Sequence, residues 1–150
     1  MGTSSSVGDG YASFAIAMLA ANSTGTNGLI RHEAGGHAFG RLGDEYSVSW
    51  YTSDLVNERH SFGFYRNVAT DQSYWSAFTA AGYGSDEVMY DKYGPYTTYR
   101  STRESGIMWN NNGQFNAVSR HAIYERIIKQ SQGTGAYSWN SFLEWDKKNR

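Results

Sequence analysis

The chain has 150 residues, of which 39% are hydrophobic and 18% are charged, and its formal net charge is −1. This length suits one domain with one core, the composition disfavours disorder or a coiled coil, and the charge gives no reason to expect a nucleic-acid partner. No apolar run approaches the roughly 20 residues of a membrane span, and the absence of cysteine removes disulfides, thiolate zinc sites and a cysteine nucleophile.

The N-terminal part begins with the polar stretch "MGTSSSVGDG", which lacks the basic and apolar pattern of a signal peptide. We therefore expect the chain to be a fragment of a larger protein. In the following "YASFAIAMLAAN", Phe14, Ile16 and Met18 alternate with small residues, which favours a strand over the helix that the alanines would also allow. After the loop "NSTGTNG", a helix is predicted over residues 29–42, with Asn27 as its N-cap.

The middle of the chain, residues 46–99, is rich in glycine and tyrosine and has few regular patterns. A short helix is predicted over residues 73–81, with Asp71 or Ser73 as its cap and Gly82 at its end. The segment "EVMYDKYGPYTTYR" predicts a hairpin that turns near Gly94 and Pro95.

The last third of the chain predicts a turn-rich loop and two helices. The loop is "STRESGIMWNNNGQ", and the helix in "FNAVSRHAIYERIIKQ" has an apolar face and Asn116 as its N-cap. A closing helix is predicted in "SWNSFLEWDKKNR", with Phe142, Leu143 and Trp145 facing the core.

The stretch "RHEAGGHAFGRLGDEY" combines two histidines with three carboxylates at unusual spacing. His32 and His37 are five residues apart, which on a regular helix places them about 140° apart, on nearly opposite sides. A π-type bulge would bring both histidines to one face, and such bulges favour functional sites. Gly35 and Gly36 permit that local change most easily. We therefore predict a bulge at residues 34–36.

The residue types in this stretch fit a zinc site. Zinc binds neutral imidazoles and a carboxylate and leaves a fourth position for water. Glu33 is adjacent to the first histidine and is placed to accept a proton from that water. A third ligand is expected where Gly40 or Gly43 turns the chain, and both Asp44 and Glu45 are candidates. Two histidines and a glutamate often coincide on a helix, but this carboxylate-bearing tail favours the metal site over chance.

Three segments resemble the IgA-peptidase family of bacterial zinc metallopeptidases. "HEAGGHAFGRLGDEY" is similar to the family motif His-Glu-x-Gly-Gly-His followed by Phe-Gly-x-Leu-x-Asp-Glu-Tyr. "ESGIMWNNNGQFNAVSRHAIYERI" is similar to a later segment, in which an Ile-Met turn precedes an Asn-Ala-x-Ser-Arg helix, and "SWNSFLEWDKKNR" resembles the closing segment. Together they cover about a third of the chain in the expected order. The dipeptidyl peptidase III family shares the histidine spacing, but its Glu-Glu pair has no counterpart here.

The resemblance implies an α+β fold, with a zincin- or metzincin-like catalytic core. This core would be mainly helical with a small edge strand or hairpin, and the family's upstream sheet would be largely missing from the chain. Residues 1–150 would then form a single metallopeptidase catalytic domain. The resemblance further implies Zn²⁺ bound by His32, His37 and Asp44, with Glu33 as the catalytic glutamate and Met108 in a Met-turn beneath the metal. Asp44 lies one residue further from His37 than the usual third ligand.

The function that the resemblance implies is a zinc-dependent endopeptidase that acts on a protein or peptide substrate. Members of the family are typically exported, so an extracellular, periplasmic or cell-surface location is expected. The alternative is a noncatalytic binding module, whose tyrosine and tryptophan side chains stack on carbohydrate or protein surfaces and whose metal site is structural or vestigial. A binding module has no use for a carboxylate at Glu33, and this residue therefore distinguishes the two functions.

Other polar residues are weaker candidates for a role in the site. Any of three tyrosines could donate a hydrogen bond to the tetrahedral intermediate: Tyr46, Tyr90 and Tyr96. His121 is expected to pack on its helix or face solvent, and His60 is expected at the surface. Three arginines could bind a substrate carboxylate, although exposed salt bridges are the default expectation for them: Arg100, Arg103 and Arg120.

Overall fold

The computed structural model describes residues 26–46, 51–85, 87–88, 91–92, 98–101 and 106–150. The expected strand in "YASFAIAMLAAN" and the expected hairpin turn near Gly94 and Pro95 lie outside these residues, as do Tyr90, Tyr96 and Arg103. The described part is mainly helical with a small sheet, which confirms the α+β class at this coarse level.

The elements follow one another in a simple order. They are α1 (Thr26–Ile30), a π-helix (Arg31–Phe39), α2 (Ser53–Ser61), β1 (Val68–Ala69), a 3-10 turn (Gln72–Trp75), α3 (Ser76–Ala80), β2 (Asp91–Lys92), β3 (Tyr99–Arg100), α4 (Ile107–Asn110), α5 (Ala117–Gln132), a second 3-10 turn (Thr134–Ala136) and α6 (Trp139–Asn149). The three short strands form an antiparallel sheet in the order β1-β3-β2, with Arg100 opposite both Val68 and Asp91.

Most of the predicted helix boundaries are set by local capping. The Asn116 side chain accepts a hydrogen bond from the Ser119 backbone N–H at the start of α5, as predicted. Asp71 accepts from the Ser73 backbone N–H and begins the helical stretch of the 3-10 turn and α3. Asn27 is not a cap, because α1 already begins at Thr26 and continues into the π-helix.

The buried hydrophobic side chains of the described residues form three core clusters. The largest cluster joins α3, α5 and α6 through Trp75, Phe78, Val118 and Phe142, among others. A second cluster lies beneath the π-helix and contains Leu42, Ile107, Met108 and Ala122. The third consists of Tyr51, Val56 and Val68 and packs on the other side of the chain segment that leaves the π-helix.

The closing helix α6 buries a different set of side chains from the predicted one. Phe142 is buried and Leu143 packs against the core, whereas Trp145 lies at the edge of the core, 37% exposed, with its ring centroid 5.0 Å from that of Tyr124 and 6.4 Å from that of Phe142. The buried residue is Asp146, because positions four apart lie on one helix face and Asp146 follows Phe142 by four. The carboxylate of Asp146 forms a bidentate ion pair with Arg120 of α5, at 2.6 Å to Nε and 3.0 Å to Nη2.

Two of the four histidines have structural roles away from the motif. The ring of His121 packs among Phe78, Trp139 and Phe142, and its Nε2 contacts the Tyr137 hydroxyl. Burial lowers the pKa of His121 to about 4, so the ring is neutral at pH 7.

His60 is not the simple surface residue that the sequence suggested. Its Nε2 lies 2.7 Å from the carbonyl oxygen of Val68, and its ring stacks on Tyr74 with 4.5 Å between centroids. His60 therefore joins α2 to β1.

Across the described residues, no helix has both the length and the apolar character that crossing a membrane requires.

Candidate metal centre

The helix that carries the two motif histidines is a π-helix over nine residues, Arg31–Phe39. The predicted loss of the regular ladder at residues 34–36 is confirmed, and the distortion extends over the whole motif. At the end of this helix, the backbone N–H of Gly40 donates to the Gly35 carbonyl, five residues earlier, at 2.9 Å. Hydrogen bonds between residues five apart, as in a π-helix, place residues five apart on the same side of the helix. His32 and His37 therefore face the same point.

The chain leaves the π-helix by a sharp turn that brings Asp44 back to the histidines. Arg41 has a left-handed backbone with φ of 55° and makes this turn, where Gly40 or Gly43 was expected. The Leu42 backbone N–H bonds back to the Gly36 carbonyl at 3.0 Å, which closes the turn against the helix. Asp44 follows directly and is buried.

Three ligand-type atoms converge in this structure. The Nε2 atoms of His32 and His37 lie 3.0 Å apart, and Asp44 Oδ1 lies 3.0 Å from each of them. Bonds of 2.0–2.1 Å in a tetrahedral site place ligand atoms about 3.3 Å apart. The observed triangle is therefore close in size to one face of such a site, and this group can hold a metal ion.

Each histidine ring makes a further contact through its Nδ1 atom, and this contact determines that Nε2 faces the centre as an acceptor. His32 Nδ1 lies 2.6 Å from the carbonyl oxygen of Ile107, and His37 Nδ1 lies 2.8 Å from that of Leu42. A carbonyl oxygen only accepts, so each Nδ1 carries a proton and donates it. Each neutral ring then presents an Nε2 lone pair beside the Asp44 carboxylate. Three acceptors at this distance repel one another unless a proton or a cation lies between them, and this chemistry fits a metal site.

The pKa values show the same attraction for positive charge. Burial by itself raises the pKa of Asp44, but its close contacts with His32 and His37 outweigh it and hold the pKa well below its ordinary value. Burial by itself lowers the pKa of His37, but the hydrogen bond and the charge of Asp44 raise it overall. Both shifts indicate that the group favours positive charge at its centre, which a bound metal ion would supply.

The neighbouring carboxylate, Glu45, does not join the group. It is 1% exposed, and its Oε1 accepts hydrogen bonds from Asn67 Nδ2 and Ser101 Oγ, both at 2.8 Å. The structure therefore brings Asp44, and not Glu45, to the histidines.

The short helix α4 lies beneath the centre and contacts both the π-helix, through His32, and the turn that carries Asp44, through Glu45. The Ile107 carbonyl accepts from His32, and the Met108 carbonyl accepts from the Glu45 backbone N–H at 2.8 Å. The buried Met108 side chain fills the space under Gly36, where a Cβ atom would overlap its Sδ and lie 2.8 Å from its Cε. The buried Met108 side chain therefore packs directly against the helix that carries both histidines.

The contact between Gly36 and Met108 predicts different effects for alanine at two adjacent glycines. Gly36→Ala would force the buried Met108 side chain to move, and it should lower the free energy of unfolding by about 1–2 kcal/mol. Gly35→Ala is the matched control, because its Cβ would lie 3.4 Å from the Phe115 ring, which is an ordinary contact. Alanine is the better helix former by about 1 kcal/mol, so this control should be neutral or stabilising. Urea unfolding of both variants measures the difference, and equal stabilities would contradict the packing argument.

Glu33 and Tyr46 lie near the ligand group. Glu33 is half-buried, and its negative charge contributes to raising the pKa of both His37 and Tyr46. Tyr46 is 40% exposed and lies near Asp44 and Glu33, whose negative charges act on its phenol. Partial burial, followed by the charge of Asp44, raises the pKa of Tyr46, so its phenol stays protonated at neutral pH.

The two described arginines with a suggested substrate role are both engaged in the fold. Arg100 is buried, donates to the Glu45 carbonyl at 2.9 Å and lies 3.8 Å above the Trp109 ring. Arg120 pairs with Asp146 and, at 3.0 Å, with Glu87. These pairs are largely buried, in contrast to the exposed salt bridges expected for them.

Two residues that the sequence did not single out contact the turn that carries Asp44. They are Tyr51 and Asn67, and both are buried. Tyr51 is one of 12 tyrosines and Asn67 belongs to no motif, so neither gives a signal in the sequence.

A scan against protein-family models finds no match to this chain, and a comparison with curated protein sequences also finds none.

Proposed function

We propose that the chain is the catalytic core of a zinc-dependent endopeptidase of the IgA-peptidase type that its motifs resemble. The observation that carries the proposal is the convergence of His32 Nε2, His37 Nε2 and Asp44 Oδ1 within 3.0 Å of one another. Two imidazoles and a carboxylate are a frequent ligand set of catalytic zinc sites, and hard ions such as Mg²⁺ prefer oxygen ligands throughout. Zinc is therefore the ion that we assign to this group.

The residues around the centre have complementary roles in the proposed reaction. Zinc bound by His32, His37 and Asp44 would supply a Lewis acid that polarises the scissile carbonyl and lowers the pKa of water. Glu33 accepts the proton of the attacking water and passes it to the leaving amine. Tyr46 remains protonated and donates a hydrogen bond to the oxyanion that develops on the scissile carbonyl. As in the exported members of the family, the protein would act outside the cytoplasm.

The alternative function, a noncatalytic binding module, requires exposed aromatic rings that form a platform. Among the described residues, Trp75, Tyr51 and Phe142 are buried in the core, whereas Phe62, Tyr74, Tyr46 and Trp145 are exposed. The half-buried carboxylate of Glu33 has no role in such a module, and this residue supports the enzyme over the binding module.

Elemental analysis of the purified protein tests the proposal. After purification in metal-replete buffer, we expect about one zinc ion per chain from the three-ligand geometry. His37→Ala should lose the ion, whereas His60→Gln should keep it, because His60 bonds to backbone carbonyls and supplies none of the three converging atoms. A native chain without zinc would overturn the proposal. Zinc without cleavage of any member of a broad peptide library would favour the binding module.

A further inference from the structure

The turn that carries Asp44 is held by a side chain from a distant part of the chain. Asn67 is 0% exposed and lies just before β1. Its Oδ1 accepts from the Gly43 backbone N–H at 2.8 Å, and its Nδ2 donates to the Gly43 carbonyl at 2.7 Å. The same Nδ2 donates to Glu45 Oε1 at 2.8 Å. One amide group thus binds the residues on both sides of Asp44.

Asn67 is itself fixed to the sheet. Its backbone carbonyl accepts from the Ser101 N–H at 3.1 Å, immediately after β3. The Ser101 hydroxyl also donates to Glu45, which extends the same network. The position of the Asp44 turn is therefore fixed by hydrogen bonds to the sheet as well as by its connection to the π-helix.

Tyr51 holds Asp44 directly. The Asp44 backbone N–H donates to the Tyr51 hydroxyl oxygen at 2.8 Å, and the Tyr51 ring is buried against Tyr65 at 5.4 Å between centroids. A Cβ at Gly43 would lie 2.8 Å from the same hydroxyl, so the backbone passes Tyr51 too closely for any side chain there. Together with the bond from Glu45 N–H to Met108, all three N–H groups of residues 43–45 are hydrogen-bonded.

We propose that Asn67 and Tyr51 are positioning residues for the metal site, an inference that rests on the function proposed above. They fix the backbone of residues 43–45 and thereby keep Asp44 Oδ1 at 3.0 Å from both histidine nitrogens. A ligand on an unrestrained turn must be ordered at the moment of binding, which weakens affinity. Groups that orient the ligands are accordingly worth about 10–100-fold in metal affinity.

The test compares three single variants of the full chain with the unmodified protein. Tyr51→Phe removes the acceptor of the Asp44 N–H, and Asn67→Asp replaces the donating amide by a carboxylate that cannot donate to Gly43 or Glu45. Tyr83→Phe is the matched control, because it also removes a part-buried hydroxyl bond to an aspartate, Asp146 of α6, which does not belong to the ligand group. Zinc affinity is measured by chelator competition, and ligand geometry by the visible spectrum of the Co²⁺ form.

We expect Tyr51→Phe and Asn67→Asp to bind Zn²⁺ about 10–100-fold more weakly and to give altered Co²⁺ spectra. Tyr83→Phe should keep both the affinity and the spectrum, even if it is less stable. If Asn67→Asp does not fold, the same readouts on Tyr51→Phe decide the result. Unchanged affinity and spectrum in the folded variants would overturn the inference and leave the proposed function intact. Failure of the unmodified protein to bind Zn²⁺ would overturn both.

Discussion

Glu33→Gln is expected to lower peptide hydrolysis by at least about 100-fold while the protein keeps its zinc. Glutamine has nearly the same shape as glutamate, but its amide cannot act as a general base at neutral pH. Glu33 is not one of the three converging atoms, so its replacement leaves the ligand group unchanged. The loss should therefore appear in kcat, because proton transfer is needed in the transition state and contributes little to substrate binding.

The measurement pairs peptide hydrolysis with elemental zinc analysis on the same preparation. Glu58→Gln is the matched control, since it makes the same chemical change on the exposed face of α2. This control should retain full activity and full zinc. Loss of zinc in Glu33→Gln would make Glu33 part of the ligand group, and full activity would remove it from the reaction.

Asp146→Ala is expected to lower the free energy of unfolding by about 3 kcal/mol. Asp146 is completely buried and accepts two bonds from Arg120 and one from the Tyr83 hydroxyl at 2.7 Å. Its removal leaves the largely buried guanidinium of Arg120 with only part of its charge balanced, by Glu87. Unfolding in urea at constant zinc, followed by tryptophan fluorescence, measures the loss.

Glu87→Gln provides the control for the Asp146 variant, because Glu87 binds the same arginine from a more exposed position. Its cost should stay below about 1 kcal/mol. Burial alone raises the pKa of Asp146, but hydrogen bonds from Arg120 and Tyr83 outweigh it and lower the pKa. The contribution of Asp146 is therefore complete above its ordinary pKa, about 3.9, and is lost as pH falls through the lower folded value. Equal, small losses in the two variants would contradict the buried ion pair.

The parts of the site that could be predicted from the sequence are those set by neighbours in the chain. The separation of His32 and His37, with Gly35 and Gly36 between them, predicts the distorted helix because only a changed hydrogen-bond ring lets both rings face one ion. Asn116 predicts the start of α5 for a similar reason, since a cap acts on a backbone N–H within three residues.

The spacing of the motif alone left the choice between Asp44 and Glu45 open, because this choice depends on partners far away in the sequence. Glu45 is drawn away from the centre by Asn67 and Ser101, which lie 22 and 56 residues further along the chain. The burial of Asp146 could not be predicted for a related reason. An aspartate is normally expected outside, but Arg120, 26 residues earlier, compensates the burial of Asp146.

The bond between His32 and the Ile107 carbonyl has a consequence for the order of folding and metal loading. These two residues are 75 positions apart, so the contact forms only after a long loop has closed. Until then the His32 ring exchanges freely between tautomers and rotamers, and the unfolded chain offers an ion no preorganised ligand group. Metal uptake should therefore follow the folding transition and not nucleate it. The ion would bind to, and further stabilise, a chain that has already folded.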